Sequence, residues 1–567
     1  MVKKNLAVLI VVMFASGMYG YEQYPGRRIY VNHVGYRPGA AKIAVAKGTK
    51  ASEFEVFDVV TGRAAYKGKF EARRGDFGTY LVGDFSGLKD AGRYEVRAGA
   101  GRSVPFAISE DIYQGPIQKN VWYFSAQRCG PSTTGYHSPC HLDDGKRLDN
   151  GKHQDVTGGW HDACDLRKWV GPTLLGMIGL AKVAEVLKPD WDYGRIVEEL
   201  RWGNRYFLSM QEPAGYVMSY CGGDDGNRWT NNKTGDEDDR PIHTEPASAS
   251  AQFDFIAAEA MTARLTHKQD PIYADKCLRS AVKCLDYCRR KKIAKNALDL
   301  GAAIIACVEL YKTSNDKQYG DIAAGYASRL LALQVTGPID EKTTVKGFFM
   351  TSAENTEPYK TMSRGCQHLI GLCELLENFP EYEDAPRWKK AIELYCSGYL
   401  SNMTKRNAFG IVPYGFYLEK QRGAKPIGTY WYRWFMGHKE RPGGNVDFWW
   451  VGVNCNLASA GVGLVKASRI LGRPELAAIA QRQLDWIVGC NPFNASTVTG
   501  VGYNQPEQFV TDEFEPVTPL IPGAVMNGIG GTEDDMPALM PGKWQTCEYW
   551  TPMVCYTMWL MSEIQSE

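Results

Sequence analysis

The segment Gly158-Gly159-Trp160-His161-Asp162-Ala163-Cys164-Asp165 places two carboxylates three residues apart, just ahead of an apolar helical pattern. Two acids at a loop-to-helix junction can converge on one small site, hold a water and draw a proton from it. A carboxylate beside a second negative charge is a stronger base than an isolated one. Acids near a helix N-terminus also serve as caps and dipole partners, and that plainer use stands beside the chemical one. Cleavage of a glycosidic bond needs a further carboxyl that protonates the leaving oxygen while the base activates water from the opposite face. Glu548 is the candidate, because Trp544-Gln545-Thr546-Cys547-Glu548-Tyr549-Trp550 surrounds it with aromatic rings and an apolar stretch from Pro552 to Met561 follows. Desolvation against rings raises a carboxyl's pKa and keeps it protonated, as an acid catalyst requires. An N-terminal acid on the last helix is again the alternative. Glu533, Asp534 and Asp535 lie nearby, but an acidic run flanked by glycine is typical of a solvated loop.

Aromatic residues are abundant, with 15 Trp and 31 Tyr, enough to line a sugar cleft or to fill a core. Trp229, Tyr430, Trp431, Trp434, Trp449 and Trp450 lie in or beside long connections, where flat faces could meet pyranose rings. Tyr430 to Trp434 is the best subsite candidate, beside Lys425, Arg433 and His438. Trp160 and His161 in the acidic segment and Tyr503 further on complete the candidate sugar contacts. Cys129, Cys140 and His141 form a C-x10-C-H cluster that suits zinc if a fourth donor joins, with Asp155 expected in that place and Asp143 as the alternative. A Cys129–Cys140 disulfide explains the same spacing equally well. The acidic loops at 222–227 and 235–239 lack regular calcium-ligand spacing and read as solvated.

These residues need a large scaffold. The chain has 567 residues with 65 Lys+Arg against 64 Asp+Glu, which excludes a single small domain and a strongly basic nucleic-acid binder. No nucleotide-binding glycine loop and no esterase nucleophile elbow is present. Met-Val-Lys-Lys, an apolar run from Leu6 to Phe14 and the small residues Ala15, Ser16 and Gly17 form the layout of a signal peptide cleaved between Gly17 and Gly20. With no cysteine there to take a lipid, a secreted or periplasmic protein is expected. From Tyr24 to Ser109, alternation such as Phe54-Glu55-Val56 and Tyr94-Glu95-Val96 predicts a small β-sandwich. From Ile112 the period becomes helical, and about eleven helices are predicted, joined by long connections at 216–246 and 409–445 that should carry the chemistry. The cysteine count of 15 is odd for an exported chain, but Cys277, Ala281, Cys284 and Cys288 have the spacing of one buried helix face.

The segment 158–165 resembles the G-G-W-[HY]-D-A-G-D signature of glycoside hydrolase family 9. Glu199-Leu200-Arg201-Trp202-Gly203-Asn204-Arg205-Tyr206-Phe207 and Ile487-Val488-Gly489-Cys490-Asn491-Pro492 are similar to two further segments of that family. Ile29-Tyr30-Val31-Asn32-His33-Val34-Gly35-Tyr36 resembles the start of the immunoglobulin-like domain that precedes many of its catalytic domains. The resemblance implies a mainly α, multidomain protein: a signal peptide over 1–20, an immunoglobulin-like β-sandwich over 21–110 and an (α/α)6 barrel over 111–567. It implies an inverting glycoside hydrolase with Asp165 as base, Asp162 orienting the water and Glu548 as acid, their carboxyls roughly 6.5–9.5 Å apart. It also implies a carbohydrate substrate, no catalytic cofactor and, as in members with that N-terminal domain, a structural zinc; the charge balance speaks against a nucleic-acid partner, and no second apolar run offers a membrane span. Two departures stand out. The stretch Gly500 to Val510 lacks the His and Arg with which family cellulases grip the sugar, so a substrate other than plain cellulose, or a catalytically silent carbohydrate binder, becomes an alternative. Cys164 stands where the family has glycine, which narrows the site or changes the turn.

Overall fold

Alternating apolar and polar residues build the first layer. Its strands are β1 (Ile29–Tyr30), β2 (Gly35–Tyr36), β3 (Ile43–Ala46), β4 (Glu53–Asp58), β5 (Ala64–Gly75), β6 (Gly78–Asp84), β7 (Gly92–Ala98), β8 (Gly101–Arg102) and β9 (Phe106–Ile108). They run in the order β1-β3-β6-β5-β4-β7-β9-β2, with β8 on β7. β5 pairs through its first half with β4 and through its second half with β6. That long strand turns the sheet back on itself, closing an immunoglobulin-like sandwich over Ile29, Phe54, Val56, Tyr94, Val96 and Phe106. The computed structural model describes residues 28–187, 192–223, 240–418, 424–437, 451–510 and 520–567. The expected signal segment, Trp229, His438, Trp449, Trp450 and most of both acidic loops lie outside the described residues.

Helices follow: α1 (Gln114–Ala126), α2 (Val170–Leu187), α3 (Tyr193–Ser209), α4 (Ala249–Thr266), α5 (Pro271–Lys291), α6 (Ala297–Ser314), α7 (Gln318–Leu331), α8 (Gln367–Asn378) and α9 (Ala385–Glu393). A π turn over Leu394–Leu400 leads into the short α10 (Ser401–Thr404), and α11 (Asn454–Leu471), α12 (Pro474–Ile487), α13 (Trp544–Cys547) and α14 (Thr551–Gln565) complete the set. α2 packs on α4, α4 on α6, α6 on α8, α8 on α11, α11 on α14, and α14 returns to α2. This ring of six is the inner layer of an (α/α)6 barrel. The inner helices are buried on nearly all sides, whereas α5 buries one stripe through Ala274, Cys277, Ala281, Cys284 and Cys288. A helix apolar all round belongs inside, and an amphipathic one belongs on the rim. Among the described residues only α2 is long and apolar enough to cross a membrane, and it is an inner helix of the barrel.

Charge closes the floor. Lys182 of α2 reaches Glu309 of α6 and Glu374 of α8, both at 2.6 Å. Lys466 of α11 meets Glu377 of α8 at 3.3 Å, Arg469 meets Glu563 of α14 at 2.7 Å, and Arg264 of α4 pairs with Glu185 and Glu309. Buried charges persist only when paired, so the last turns of all six inner helices are tied at one end. Their N-termini therefore share the opposite end, where the longer connections gather. Those connections, expected to be irregular, carry small sheets. β10 (Lys146–Arg147), β11 (Lys168–Trp169), β12 (Met218–Cys221) and β13 (Pro241–Pro246) run in the order β10-β13-β12-β11, and β14 (Gly415–Tyr417), β15 (Lys425–Ile427) and β16 (Tyr430–Arg433) in the order β14-β16-β15. Strands of two to six residues are too short to leave an alternation signal. A last hairpin pairs β17 (Gly530–Gly531) with β18 (Pro537–Ala538).

Two of the places where the sandwich grips the barrel are built on buried polar groups. Asn32 donates to Asp485 at 3.0 Å, and His33 pairs with Asn494 at 3.0 Å while packing over Gly489, where a Cβ would lie 2.2 Å from the ring. The tip of the β5–β6 hairpin reaches the second place. The Asp76 carboxylate accepts from Tyr432 Oη at 2.6 Å and Trp434 Nε1 at 2.8 Å, and Phe77 packs on Trp434, Phe435 and Trp486.

Candidate active site

The acidic segment is held by its own glycines and by α3. Gly158 and Gly159 adopt φ of +90° and +74°, and a Cβ on Gly159 would stand 2.7 Å from Tyr206. Trp160 then plugs into α3. Its ring lies over Gly203, where a Cβ would approach within 2.2 Å, and its indole N–H donates to Glu199 at 3.3 Å. Two of the segments that carry the family resemblance are thus a plug and its socket. Trp160 is 1% exposed, so it anchors the loop and does not meet sugar, contrary to expectation.

Beyond the plug, the loop runs beside the chain's far end. Ala163 bridges Trp550 in antiparallel fashion, and the Asp162 carbonyl accepts from the Thr551 N–H at 3.2 Å and hydroxyl at 2.8 Å. Because α14 is the neighbour of α2 in the inner ring, closing the barrel brings the two acidic segments together. Asp162 accepts from Trp550 Nε1 at 2.8 Å through Oδ2, while its buried Oδ1 has no partner among the described residues. Asp165, with a side chain 28% exposed, accepts from the Arg167 backbone N–H at 3.3 Å and stands 3.4 Å from its guanidinium. Glu548 accepts the Cys164 thiol proton on Oε1 at 2.8 Å. None of the three lies in a helix: Glu548 precedes the N-cap Trp550 of α14, and the Asp pair ends five residues before α2. Capping therefore does not explain them.

The carboxyls sense one another. Burial pushes Glu548 up to about 8, with the Asp165 charge adding to it and the Cys164 thiol and Arg167 opposing. Burial, then the charges of Asp165 and Glu548, hold Asp162 well above the usual range. Asp165 is raised by burial, against the pull of Arg167. A protonated carboxyl and an accessible one with a cationic neighbour thus share one site. That is the division of labour that acid and base need.

The aromatic candidates divide. Trp434 is 0% exposed and serves the Asp76 contact, so it is a core residue and not a sugar platform. Tyr430 and Trp431 are half-buried on β16, with Tyr430 edge-on to Phe348 at 5.4 Å. Tyr503 turns toward the sandwich, its ring 5.8 Å from His33 and its hydroxyl accepting from Arg93 at 3.3 Å. The stretch that lacks the expected His and Arg thus contacts the N-terminal layer. Arg433 is buried and donates to the Thr532 carbonyl at 2.8 Å, and Asp535, raised to about 6 by burial, accepts from the Trp434 and Phe435 N–H groups. Both clamp β16 to the 530–538 hairpin. Sequence reasoning missed a stack of Trp169, Tyr220 and His243, ring centroids 3.8 Å apart, half-buried on β11, β12 and β13 beside Arg167. Only the pairing of those three strands unites them, so no spacing announced it.

The metal candidates also change. Cys129, Cys140, His141 and His161 are all buried, with one donor atom from each lying within 4.8 Å of the others. Asp155 is outside the group: it is exposed and bonded to the Thr157 hydroxyl at 2.7 Å. His161, expected at the sugar, takes the fourth corner because the Trp160 plug turns its neighbour inward, and it is 0% exposed. The Cys129 and Cys140 sulfurs are 3.9 Å apart, and all 15 cysteines are free. Against the cost of burial, the Cys140 thiol and then the Lys168 charge hold Cys129 well below the usual thiol range. Burial holds His161 down at about 3 and therefore neutral. A thiolate at Cys129 and a neutral imidazole at His161 are forms that bind metal.

An (α/α)6 barrel that gathers three carboxyls at the N-terminal ends of its inner helices has the architecture of a glycosidase class. Residues 113–535 match the family model described as glycosyl hydrolase family 9, and residues 24–103 match that of the cellulase N-terminal Ig-like domain. The chain belongs to glycosyl hydrolase family 9. It is 26% identical to a cellodextrinase of Butyrivibrio fibrisolvens, over 94% of each chain. It is 22% identical to a xyloglucan-specific endo-β-1,4-glucanase of Bacteroides ovatus, over 90% of this chain and 87% of that one. A crystal structure of a metagenome-derived family 9 endoglucanase superposes with a TM-score of 0.70 at 21% identity, covering 95% of this chain and 99% of the other. The protein is accordingly an inverting glycoside hydrolase that cleaves β-glycosidic bonds in carbohydrate.

Proposed function

We propose that Asp165 is the general base, Asp162 its partner in holding the water, and Glu548 the general acid, acting on short or substituted β-1,4-glucans. The observation that carries this reading is the Cys164–Glu548 and Ala163–Trp550 contact, which sets the acid beside the pair of aspartates. Glu548 gives its proton to the glycosidic oxygen as the bond to the anomeric carbon breaks toward that oxygen. Water attacks the same carbon from the other face and loses its proton to Asp165. Asp162 Oδ1, which has no partner among the described residues, can orient this water. Tyr430 and Trp431, with the Trp169 stack, are proposed as sugar platforms. The substrate class rests on the cellodextrinase and xyloglucanase relatives and on the missing His and Arg in 500–510. NMR of the first product formed from cellotetraose and from xyloglucan oligosaccharides should show the α-anomer. A β-anomer, or no hydrolysis of either, rejects the reading.

We also propose that Cys129, Cys140, His141 and His161 hold a structural zinc. Tetrahedral zinc with sulfur at about 2.3 Å and nitrogen at about 2.0–2.1 Å needs ligand edges of roughly 3.8 Å between sulfurs and 3.6 Å from sulfur to nitrogen. The sulfurs lie 3.9 Å apart, and the Cys129–His141 and Cys140–His161 pairs are each 3.5 Å. A bound ion would tie the loop that bears Asp162 and Asp165 to the 129–141 segment. Elemental analysis should find about one zinc per chain, and Cys129→Ser should lower metal affinity about 10- to 100-fold or more and reduce Tm. Metal-free protein with an unchanged Tm sinks this proposal. Residues 1–20 are proposed as an export signal, 21–110 as the sandwich and 111–567 as the catalytic barrel, in a secreted or periplasmic enzyme.

A further inference from the structure

Cys164 is hydrogen-bonded to the acid, and it stands where the family signature it resembles has glycine. Its side chain is 3% exposed, and its sulfur stands 2.8 Å from Glu548 Oε1. A thiol has one proton to donate, and a protonated carboxyl has one oxygen that accepts and one that donates. We propose that Cys164 is a positioning residue for Glu548: its S–H occupies Oε1, so that the catalytic proton resides on Oε2 and faces the substrate. This inference rests on the acid role given to Glu548 above. The thiol itself stays protonated, because burial and then the Glu548 charge raise it well above the usual range. It is therefore a fixed donor, not a second acid. Without it the carboxyl could place its proton on either oxygen, and one of those placements points into the loop.

The bond has a second consequence. An S–H donated to the carboxyl favours its ionised form, so Cys164 restrains the rise that burial imposes on Glu548. Among the described residues, the other titratable groups around the pair are Asp162, Asp165 and Arg167 on the same loop, Tyr123 on α1 and Tyr549 next to Glu548. Tyr123 and Tyr549 are themselves raised far by burial and stay neutral across the working range. The carboxylates and Arg167 are common to every variant at position 164, so a change there isolates the thiol's contribution.

The test compares wild type with Cys164→Ala and Cys164→Ser on cellotetraose and on 2,4-dinitrophenyl β-cellobioside, whose leaving group needs no acid. For Cys164→Ala, kcat on cellotetraose should fall by roughly 5- to 50-fold with little loss on the aryl substrate. The alkaline limb of kcat/KM should move to higher pH. Serine restores a donor, so its limb should return to or below that of the wild type, with kcat within about 3-fold. A merely space-filling role would lower both substrates alike and leave the limb in place, and that outcome overturns the proposal. If the alanine variant does not fold, serine decides: a limb above the wild-type position overturns it. An inactive Glu548→Gln with unshifted Cys164 variants rejects this inference alone, whereas an active Glu548→Gln removes the acid reading with it.

Discussion

Glu548→Gln lowers kcat on cellotetraose by about 10²- to 10⁴-fold and abolishes the alkaline limb of the pH profile. The effect is large because glucoside oxygens are poor leaving groups without a proton, and general acid catalysis typically contributes that factor. Glutamine keeps the shape and can still accept from Cys164, so the loss is chemical and not structural. The loss should shrink on 2,4-dinitrophenyl β-cellobioside, which departs unprotonated. The sign of the pH dependence follows from the raised acid. A carboxyl ordinarily ionised above 4.5 that is held to about 8 keeps its proton through neutrality, and activity declines as pH rises through that value. The same shift is a stability statement. Between those two values the folded state binds a proton that the unfolded chain has released, so stability falls as pH rises across the window. Glu548→Gln should therefore show a higher Tm than wild type at pH above about 8 and no gain at pH 4. Equal activity of the two proteins on cellotetraose would remove Glu548 from the mechanism.

Local chemistry was readable where one segment carried it. The Asp162–Asp165 pair and the aromatic setting of Glu548 could be picked out by type and spacing, and the helical period from Ile112 onward announced the helices. What could not be read, including the inner place of α2 and α11 in the barrel, was anything settled by which segment lies opposite. His161 looked like a sugar contact because it adjoins the acids, yet alternation across the Trp160 plug sends it to Cys129, Cys140 and His141. Asp155 had suitable chemistry and the wrong side of the turn. Trp434 had the profile of a platform, but Asp76, some 360 residues earlier, takes its indole N–H into the core. The Trp169–Tyr220–His243 stack spans three strands from distant stretches and has no linear signature. Recognition of the family compensated for part of this, since the Glu199–Gly203 helix was matched as a motif before its role as the socket for Trp160 had any physical meaning.

Asp165→Ala carries the other large effect, and it distinguishes the base from the residue beside it. Without a base, the attacking water keeps its proton as it approaches the anomeric carbon, and kcat should fall by about 10²- to 10⁴-fold. The fold should survive, because the side chain is partly exposed and, among the described residues, its bonded partner is Arg167 in the same turn. An anion that needs no deprotonation can substitute. Added azide should restore a measurable rate on 2,4-dinitrophenyl β-cellobioside and yield the α-configured glycosyl azide, since it must enter by the face from which water came. Asp162→Ala should respond differently: Asp162 is buried, bonded to Trp550 and set back from solvent, so its loss disturbs the water's position while Asp165 still takes the proton. Azide should then add little. The acid limb sharpens the contrast, because burial raises Asp165 above the ordinary aspartate value, so wild-type kcat/KM should fall as pH drops through a range above 3.8. Rescue of Asp162→Ala in preference to Asp165→Ala would exchange the two roles, and a β-configured azide would place the incoming group on the wrong face for any inverting arrangement of these carboxyls.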